Sequence, residues 1–420
     1  MAAAGSRRSS CSTAHAAAGR MNAPASGGAP TSHLYIHVPF CVRKCRYCAF
    51  YSVEAADEGL MDRFVTCVAT ELGSRRGPAL ETVYLGGGTP SLLGAARIAR
   101  LLDAVRERSP VSSTCEVTLE VNPETIDRAG LQACRSAGVN RVSIGIQSFV
   151  DSNLEWLGRI HDAHRGRQAV EDSLSLGLRT SIDLIYGLPG QSVRAWEEEL
   201  VNASGCGTDH ISAYELTWEP GTPLYRERVQ EGRATVGGRI VRRSMGERFF
   251  FATHETLERL GFEGYEVSSF ARRTQDRSRH NLATWAHRPY RGVGPAAHSY
   301  VVDGSGHRRT WNRPELAAWL EALERGARPP ADSELLSPEQ LLMERVMLGL
   351  RCREGIDLEA CRAECGETAV ERLLERASAM CAAGAVELRG RSPGDRASVR
   401  VVPTLKGMAL ADRLALELCD

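Results

Sequence analysis

Tyr35-Ile-His-Val-Pro-Phe-Cys41-Val-Arg-Lys-Cys45-Arg-Tyr-Cys48-Ala-Phe50 begins in a short apolar strand, Leu34 to Val38, and continues into a loop with three thiols in eight positions. In a parallel α/β barrel the loops after strand C-termini form the active face, so these cysteines lie where reactions happen. Thiolates are soft ligands that select zinc, copper(I) or iron–sulfur clusters. A structural zinc site needs four ligands, normally as two paired knuckles. No second knuckle follows: Cys352, Cys361 and Cys365 lie far down the chain in a segment of helical pattern. A 4Fe-4S cluster ordinarily takes one cysteine per iron, so Cys41, Cys45 and Cys48 would leave one iron open. A zinc-stabilised scaffold without redox activity stands as the alternative.

Outward from this loop, β-branched runs alternate with amphipathic stretches. Strands are expected at Leu34 to Val38, Thr82 to Leu85, Glu116 to Val121, Arg141 to Ile146, Thr180 to Tyr186 and His210 to Leu216. Helices are expected near 57–72, 91–107, 125–136, 165–176 and 193–204, the first with Leu60, Phe64, Val68 and Leu72 on one stripe. Strand and helix alternating in this way give parallel βα units. Six units point to a partial (β/α)6 barrel rather than a closed eight-fold one, within an α/β fold. The core is expected over residues 33–270.

Residues 271–334 are rich in Arg, Pro, Gly and Trp with little periodicity, and are expected to form a crossover or cap. A new unit starts at Ser337-Pro338, with Gln340 completing an N-cap, first-turn proline and capping-box signature. Helices near 338–350 and 368–383, strands around Val386 to Leu388 and Val399 to Val402, and a last helix from Leu405 resemble a small winged-helix-like domain over 335–420. Acids slightly outnumber bases there, so docking fits this unit better than nucleic-acid binding.

Composition supports a globular chain. The 420 residues are 43% hydrophobic and 25% charged, and 52 basic residues balance 52 acidic ones. No global field is present to gather nucleic acid or an anionic membrane surface. Lys44 and Lys406 are the only lysines, as a GC-rich genome would give. No stretch approaches the roughly 20 apolar residues of a membrane-spanning helix. Thirteen cysteines, an odd number without a secretory signal, point to a reducing compartment, hence the cytoplasm. Residues 1–32 are Ala, Ser, Gly and Arg without acids, and are expected to be disordered. A start at Met21, a plain flexible tail and a targeting peptide all fit them.

A second motif, Leu85-Gly86-Gly87-Gly88-Thr89-Pro90, ends the second strand, where glycines admit close approach of a ligand to the backbone or simply make a tight turn. The C-x3-C-x2-C spacing with an aromatic before the last cysteine, followed by this run, resembles the radical S-adenosylmethionine (SAM) superfamily. There the open iron binds the amino and carboxylate groups of SAM, and the reduced cluster breaks its sulfonium carbon–sulfur bond. The segments Glu120-Val-Asn-Pro123, Ser143-Ile-Gly-Ile-Gln147-Ser-Phe149, Leu157-Gly-Arg159 and Ile182-Asp183-Leu-Ile-Tyr-Gly-Leu-Pro189 extend the similarity. Their order resembles that of the coproporphyrinogen dehydrogenase (HemN) and heme chaperone (HemW) families. The resemblance makes Cys41, Cys45 and Cys48 ligands of a 4Fe-4S cluster. It makes Tyr35, Gly87, Gly88, Thr89, Glu120, Gln147, Arg159 and Asp183 contacts of SAM. Carboxylates at Glu120 and Asp183 suit hydroxyl donors, Gln147 suits ribose or adenine edges, and Arg159 suits the methionine carboxylate. Each of these side chains could equally close a strand end by hydrogen bonds. Tyr47 and Phe50 are expected to pack against the cluster and exclude solvent.

Two functions compete within the resemblance. A coproporphyrinogen III dehydrogenase resembles C-x3-C-x2-C-x-C, with a fourth cysteine where this chain has Phe50, and carries a long N-terminal extension where this chain has a low-complexity tail. Both features favour a heme chaperone of the HemW type, which would bind heme and deliver it to a respiratory hemoprotein. His280-Asn281-Leu-Ala-Thr284-Trp285 resembles the chaperones' H-N-x-x-Y-W signature, with Thr284 in place of tyrosine. The resemblance thus implies heme contacts at His280, Asn281 and Trp285, while a His-Asn pair that merely fixes a loop is the plainer alternative. Whether the chain is an enzyme stays open at this point. An electron donor, a transient membrane contact and a homodimer complete the expected partners, with no nucleic acid.

Overall fold

The β-branched runs and helical stripes fold into six consecutive βα units. In this computed structural model, which describes residues 31–54, 57–73, 77–230, 243–390 and 399–419, they run β1 (His33–Val38), α1 (Glu58–Leu72), β2 (Leu80–Gly87), α2 (Gly94–Arg108), β3 (Val111–Val121), α3 (Arg128–Ser136), β4 (Arg141–Gln147), α4 (Asp151–Leu157), α5 (Ala163–Ser175), β5 (Arg179–Tyr186), α6 (Val193–Gly205) and β6 (His210–Glu215). The expected disordered tail lies outside the described residues up to position 30. The six strands are parallel and lie side by side in chain order. A doubly wound sheet would reverse direction at a switch point; constant winding belongs to barrels.

The barrel stays open. β6 continues through helices α7 (Pro223–Gln230) and α8 (Arg243–Arg259) into β7 (Glu263–Gly264) and β8 (Ser269–Ala271), and β8 pairs antiparallel with β6. After α9 (Arg279–Trp285), β9 (Arg291–Val293) pairs parallel with the other edge, β1. One edge of the core sheet therefore comes from the segment expected to form the cap. Ile36, Val38, Val83, Leu85, Leu119, Ile144, Ile182 and Ile211 are buried, as the strands of a covered parallel sheet must be. Each such side chain contributes about 1.5–3 kcal/mol by leaving water.

The cap is ordered despite its lack of periodicity. β10 (His298–Asp303), β11 (Gly306–Asn312) and β12 (Ala331–Leu335) make an antiparallel sheet, and α10 (Leu316–Glu324) lies between β11 and β12 in the chain. Trp319 of α10 packs 5.5 Å from Phe64 of α1. At the C-terminal end of α1, Glu71 accepts hydrogen bonds from Gly294 N (2.8 Å), Asn312 Nδ2 (2.6 Å) and Trp319 Nε1 (3.0 Å). One carboxylate thus ties the barrel to three parts of the cap.

The C-terminal unit has its own core. It comprises α11 (Pro338–Gly349), β13 (Ile356–Asp357), α12 (Leu358–Cys365), α13 (Glu367–Ala382), β14 (Val386–Arg389), β15 (Arg400–Pro403), α14 (Leu405–Ala409) and α15 (Ala411–Cys419). Ser337 and Gln340 form the expected capping box. Val346, Leu350, Val370, Leu373, Leu414 and Leu418 pack around the buried Cys361, whose thiol burial pushes up to about 12. This environment makes Cys361 a packing residue. Helix α12 and strand β13 were not anticipated: eight and two residues are too short for a periodic signal.

Replacing Glu71 by Ala leaves the Trp319 indole, the Asn312 amide and the Gly294 N–H without their acceptor. A loss of about 2–4 kcal/mol in urea unfolding is expected. A loss below about 0.5 kcal/mol would show that these donors find other partners.

Candidate functional site

The cysteine loop is closed at its base by backbone pairing. Phe40 and Cys41 pair in parallel with Val53 and Glu54, and Val53 N donates to Pro39 O at 2.7 Å. Cys48 N turns back to Cys45 O at 3.2 Å, and Leu224 N donates to Arg46 O at 3.1 Å. Cys41 is buried, and Cys45 and Cys48 are half-buried. Tyr47 packs with Leu157, Ile185, Leu188, Leu216 and Trp218 in a separate apolar cluster. Phe50 does not pack as expected: its side chain is 69% exposed. Tyr51 turns inward instead. Its carbonyl accepts from His37 Nε2 at 2.9 Å and its hydroxyl from Leu316 N at 2.8 Å. That bond places the His37 proton on Nε2 and leaves Nδ1 to accept from Tyr35 Oη at 3.2 Å.

The glycine run lies beside this loop because β1 pairs with β2, Val38 opposite Gly87. A Cβ on Gly88 would lie 2.6 Å from Phe40 O and 3.0 Å from Cys41 Sγ. Gly87, at φ +118°, would press a Cβ to 2.8 Å from the His37 ring. Thr89, buried, donates its hydroxyl to Cys41 Sγ at 3.6 Å. The glycines therefore serve packing of backbone against sulfur as well as a turn.

Arg159 gathers the other side. Its Nη1 donates to Cys45 Sγ at 3.4 Å, and its Nη2 to Asn122 Oδ1 at 2.7 Å and Gly145 O at 2.9 Å. Its buried Nε has no partner among the described residues. Asn122 Nδ2 donates to Thr89 Oγ1 at 2.9 Å, so Asn122 links the glycine run to Arg159. A Cβ on Gly145 would meet Gln147 Nε2 at 2.9 Å, Asn122 Oδ1 at 3.0 Å and Arg159 Nη2 at 3.5 Å. Three polar side chains thus converge above a bare backbone. Gln147 itself sits at φ +68°, after a register slip in β4. A non-glycine there costs on the order of 1–3 kcal/mol, which surrounding structure must hold.

Deeper in the barrel, Glu120 accepts from Tyr84 Oη at 2.8 Å and from Gly87 N at 3.1 Å. Burial pushes its carboxyl up to about 7, the Tyr84 bond opposing and the Asp183 charge adding. Asp183 is held by Ser143 Oγ at 2.8 Å and Ser181 Oγ at 3.4 Å. Burial raises its pKa in spite of these hydroxyls. Tyr35 stacks on Tyr84 with ring centroids 6.0 Å apart. Apart from Tyr35, in the first half of β1, every residue that the sequence assigned to cluster or SAM lies along the C-terminal half of these strands or in the loops after them. Asn122 and Tyr84 were not singled out. The signal was available: residues two apart on a strand share a face, so Asn122 follows Glu120 and Tyr84 precedes Gly86 toward the interior.

The residues fit the implied groups. Among the described residues no three His, Cys, Asp or Glu side chains are arranged to ligate one metal ion. Zinc would draw all its sulfurs to about 2.3 Å from a single centre. A cube asks only that each thiolate reach its own iron, which one loop with a buried Cys41 and half-buried Cys45 and Cys48 can meet. The unpartnered Arg159 Nε and the polar cradle over Gly145 suit a small zwitterion.

His280 borders this site, its ring centroid 6.4 Å from that of Tyr35, while Asn281 and Trp285 follow it on α9. Thr82, the partner of His280, precedes Gly87 by five strand residues, about 16 Å at strand rise. His280 Nδ1 hydrogen-bonds Thr82 Oγ1 at 2.8 Å, its backbone N donates to Glu116 Oε1 at 3.0 Å, and its ring packs 5.0 Å from Tyr84. Burial, with His33 and Arg141 adding, pushes its imidazole down to about 3. The N-terminus of α9 thus closes the far end of the barrel, with Asn281 and Trp285 half-exposed beyond it.

Comparison with known proteins agrees with this architecture. Residues 35–200 match the Radical SAM superfamily, and residues 336–392 match the HemN C-terminal domain. The chain is 36% identical over 386 residues to the heme chaperone HemW of Mycobacterium tuberculosis H37Rv, covering 90% of this chain and 92% of that protein. It is 37% identical over 332 residues to the mitochondrial radical S-adenosyl methionine domain-containing protein 1 of Danio rerio, covering 77% and 73%. The solved structure of Escherichia coli coproporphyrinogen III oxidase (HemN), a radical SAM enzyme, superimposes with a TM-score of 0.75 over 93% of this chain and 90% of that one. At 20% identity that match shows the shared fold. With 36% identity across nearly the whole of a HemW protein, the chain belongs to the HemW family of radical SAM proteins.

Proposed function

We propose that this protein is a heme chaperone that binds heme and delivers it to respiratory hemoproteins, on a core that carries a 4Fe-4S cluster and SAM. The observation that carries this reading is the end-to-end similarity to a protein named heme chaperone HemW. The exposed Phe50, at the position where the dehydrogenases resemble one another in a fourth cysteine, agrees with it.

Cys41, Cys45 and Cys48 would hold the cluster. Tyr35, Gly87, Gly88, Thr89, Glu120, Gln147, Arg159 and Asp183 would line the SAM site, with Asn122 fixing Thr89 and Arg159. Bound together, cluster and SAM supply one-electron chemistry. The protein's own residues position and enclose: Arg159 brings a buried cation to Cys45, Gly88 and Thr89 seat the Cys41 sulfur, and Glu120 and Asp183 offer acceptors to hydroxyl groups. Of the segment resembling the heme signature, Asn281 and Trp285 are exposed enough to meet a porphyrin, while His280 anchors α9 in the barrel. The described cysteines are free thiols, the state a reducing compartment keeps, which supports a cytoplasmic site of action. No described helix is long and apolar enough to cross a membrane. A respiratory recipient still calls for transient membrane contact, the cluster calls for an electron donor, and a homodimer is the expected assembly.

Oxygen-free purified protein is expected to bind heme about one to one and to pass it to an apo-cytochrome. Carbon dioxide released from coproporphyrinogen III at enzymatic rates, without heme transfer, would establish the dehydrogenase instead. Glu120 gives a pH test. Its folded pKa of about 7 lies above the ordinary 4.5, so the folded state holds a proton that the unfolded state has lost. Stability of the SAM-free protein therefore falls as pH rises from about 4.5 to about 7, and the penalty is complete above that. Glu120→Gln removes it, since the Tyr84 hydroxyl can turn to accept from the new amide. The variant is expected to gain on wild type in thermal unfolding at pH 8 and not at pH 4.5, while binding SAM about tenfold more weakly. An advantage that shrinks as pH rises would reject the buried carboxyl.

A further inference from the structure

Gln147 is held in a turn that a non-glycine residue does not favour. Ser148 N donates to Ile146 O at 2.9 Å, which closes a three-residue γ-turn with Gln147 at its centre and φ +68°. That hand of the γ-turn is the rare and strained one. The strain falls on a residue whose amide nitrogen lies over the cradle, 2.9 Å from where a Cβ on Gly145 would be. Such a conformation persists where the surrounding structure over-determines it.

The bonds that do so meet at Glu199 of α6. It is 2% exposed and stands on the core face of the helix beside Trp196 and Ala203. Its Oε2 accepts from Ser148 Oγ at 2.6 Å and from Phe149 N at 3.0 Å, the two residues that follow Gln147. Its Oε1 accepts from Asn153 Nδ2 of α4 at 3.1 Å and from Gln191 Nε2 at 3.3 Å. Ser148 Oγ in turn accepts from Val150 N and Asn153 Nδ2, each at 3.1 Å. Gln191 Oε1 accepts from Gly187 N at 2.8 Å and from Leu188 N at 3.2 Å. The same carboxylate thus reaches the turn after β5, the strand that carries Asp183.

All four donors to Glu199 are neutral groups, and burial raises its pKa against them. A carboxylate placed in an apolar core on these terms is costly, and an apolar side chain would pack the helix without that cost. Its position is explained by the two turns it joins. We propose that Glu199 is the positioning residue of the cofactor site: it fixes the strained turn and with it the Gln147 amide that meets the nucleoside half of SAM. This rests on the reading of Gln147 as a SAM contact. Glu199 touches neither the cysteine loop nor Glu120, so its influence is confined to the turns after β4 and β5.

The test is equilibrium binding of SAM to the oxygen-free holoprotein, with iron and sulfide counted for each variant. Glu199→Gln keeps the size of the side chain but sets an amide NH2 among donors. It is expected to weaken SAM about tenfold with iron and sulfide unchanged. Gln147→Gly removes both the strain and the amide, so adding Glu199→Gln to it should cost no further affinity. Combined with Glu120→Gln, whose bonds it does not share, Glu199→Gln should add its full loss. Unchanged SAM affinity in Glu199→Gln would overturn the proposal, and so would a loss that persists undiminished in the Gln147→Gly background, as a general loosening of the fold would give. Should Glu199→Gln lose its cluster or fail to fold, Ser148→Ala removes one bond to the carboxylate and is read by the same two combinations. Wild-type SAM affinity in Gln147→Gly would overturn the reading of Gln147 and this proposal with it, and a cluster-loaded wild-type protein that bound no SAM would overturn the cofactor site as a whole.

Discussion

The site depends on one close approach. β1 and β2 pair so that the cysteine loop and the glycine run leave the sheet side by side, and Cys41 Sγ lies where a Cβ on Gly88 would be 3.0 Å away. No other residue leaves that space open without moving the Phe40 carbonyl as well. Parallel pairing is set by hydrogen bonds several residues earlier, in a stretch with Ile36 and Leu85 buried. The hydrophobic register of two strands thus decides whether a thiol and a backbone meet. Thr89 and Asn122 pass the same register on to Arg159, so the sulfurs of Cys41 and Cys45 are both addressed by one hydrogen-bonded chain.

The barrel was readable because its signal is local. Five of the six strands appear within two residues of their expected bounds, and β3 begins five residues earlier than expected, since β-branched runs buried on both faces of a parallel sheet stand out against amphipathic helices. The cysteine and glycine motifs were readable for the opposite reason: thiols at loop spacing and consecutive glycines are rare and carry a specific chemistry. What composition hid was the cap. Its strands β10 and β11 are half-buried along most of their length, without clean alternation, with α11 on one side through Arg309–Glu344 and Tyr300–Leu341. Helix α4, seven residues with no capping side chain, gives too little period to register. The cradle residue Asn122 was within a quoted motif but carried no charge to draw attention, and its role comes from convergence that only folding creates.

His280 shows where a motif and its environment part. Resemblance marks it for heme, yet Thr82, Glu116 and Tyr84 use its ring and backbone to plug the barrel. An imidazole so enclosed, held neutral by burial, stabilises the N-terminus of α9 and sets where Trp285 emerges.

The cap and the cysteine loop are mechanically joined. Tyr51, just past the loop, holds His37 through its carbonyl and the first turn of α10 through its hydroxyl. Glu71 holds the strand end at Gly294, the end of β11 at Asn312 and the middle of α10 at Trp319. These bonds are made by groups shielded from water, where losing one costs more than it would on an open surface. A shift of the loop by an ångström must therefore be followed by the cap or be prevented by it. This linkage gives any change at the cysteine loop a direct mechanical hold on the geometry of the cap.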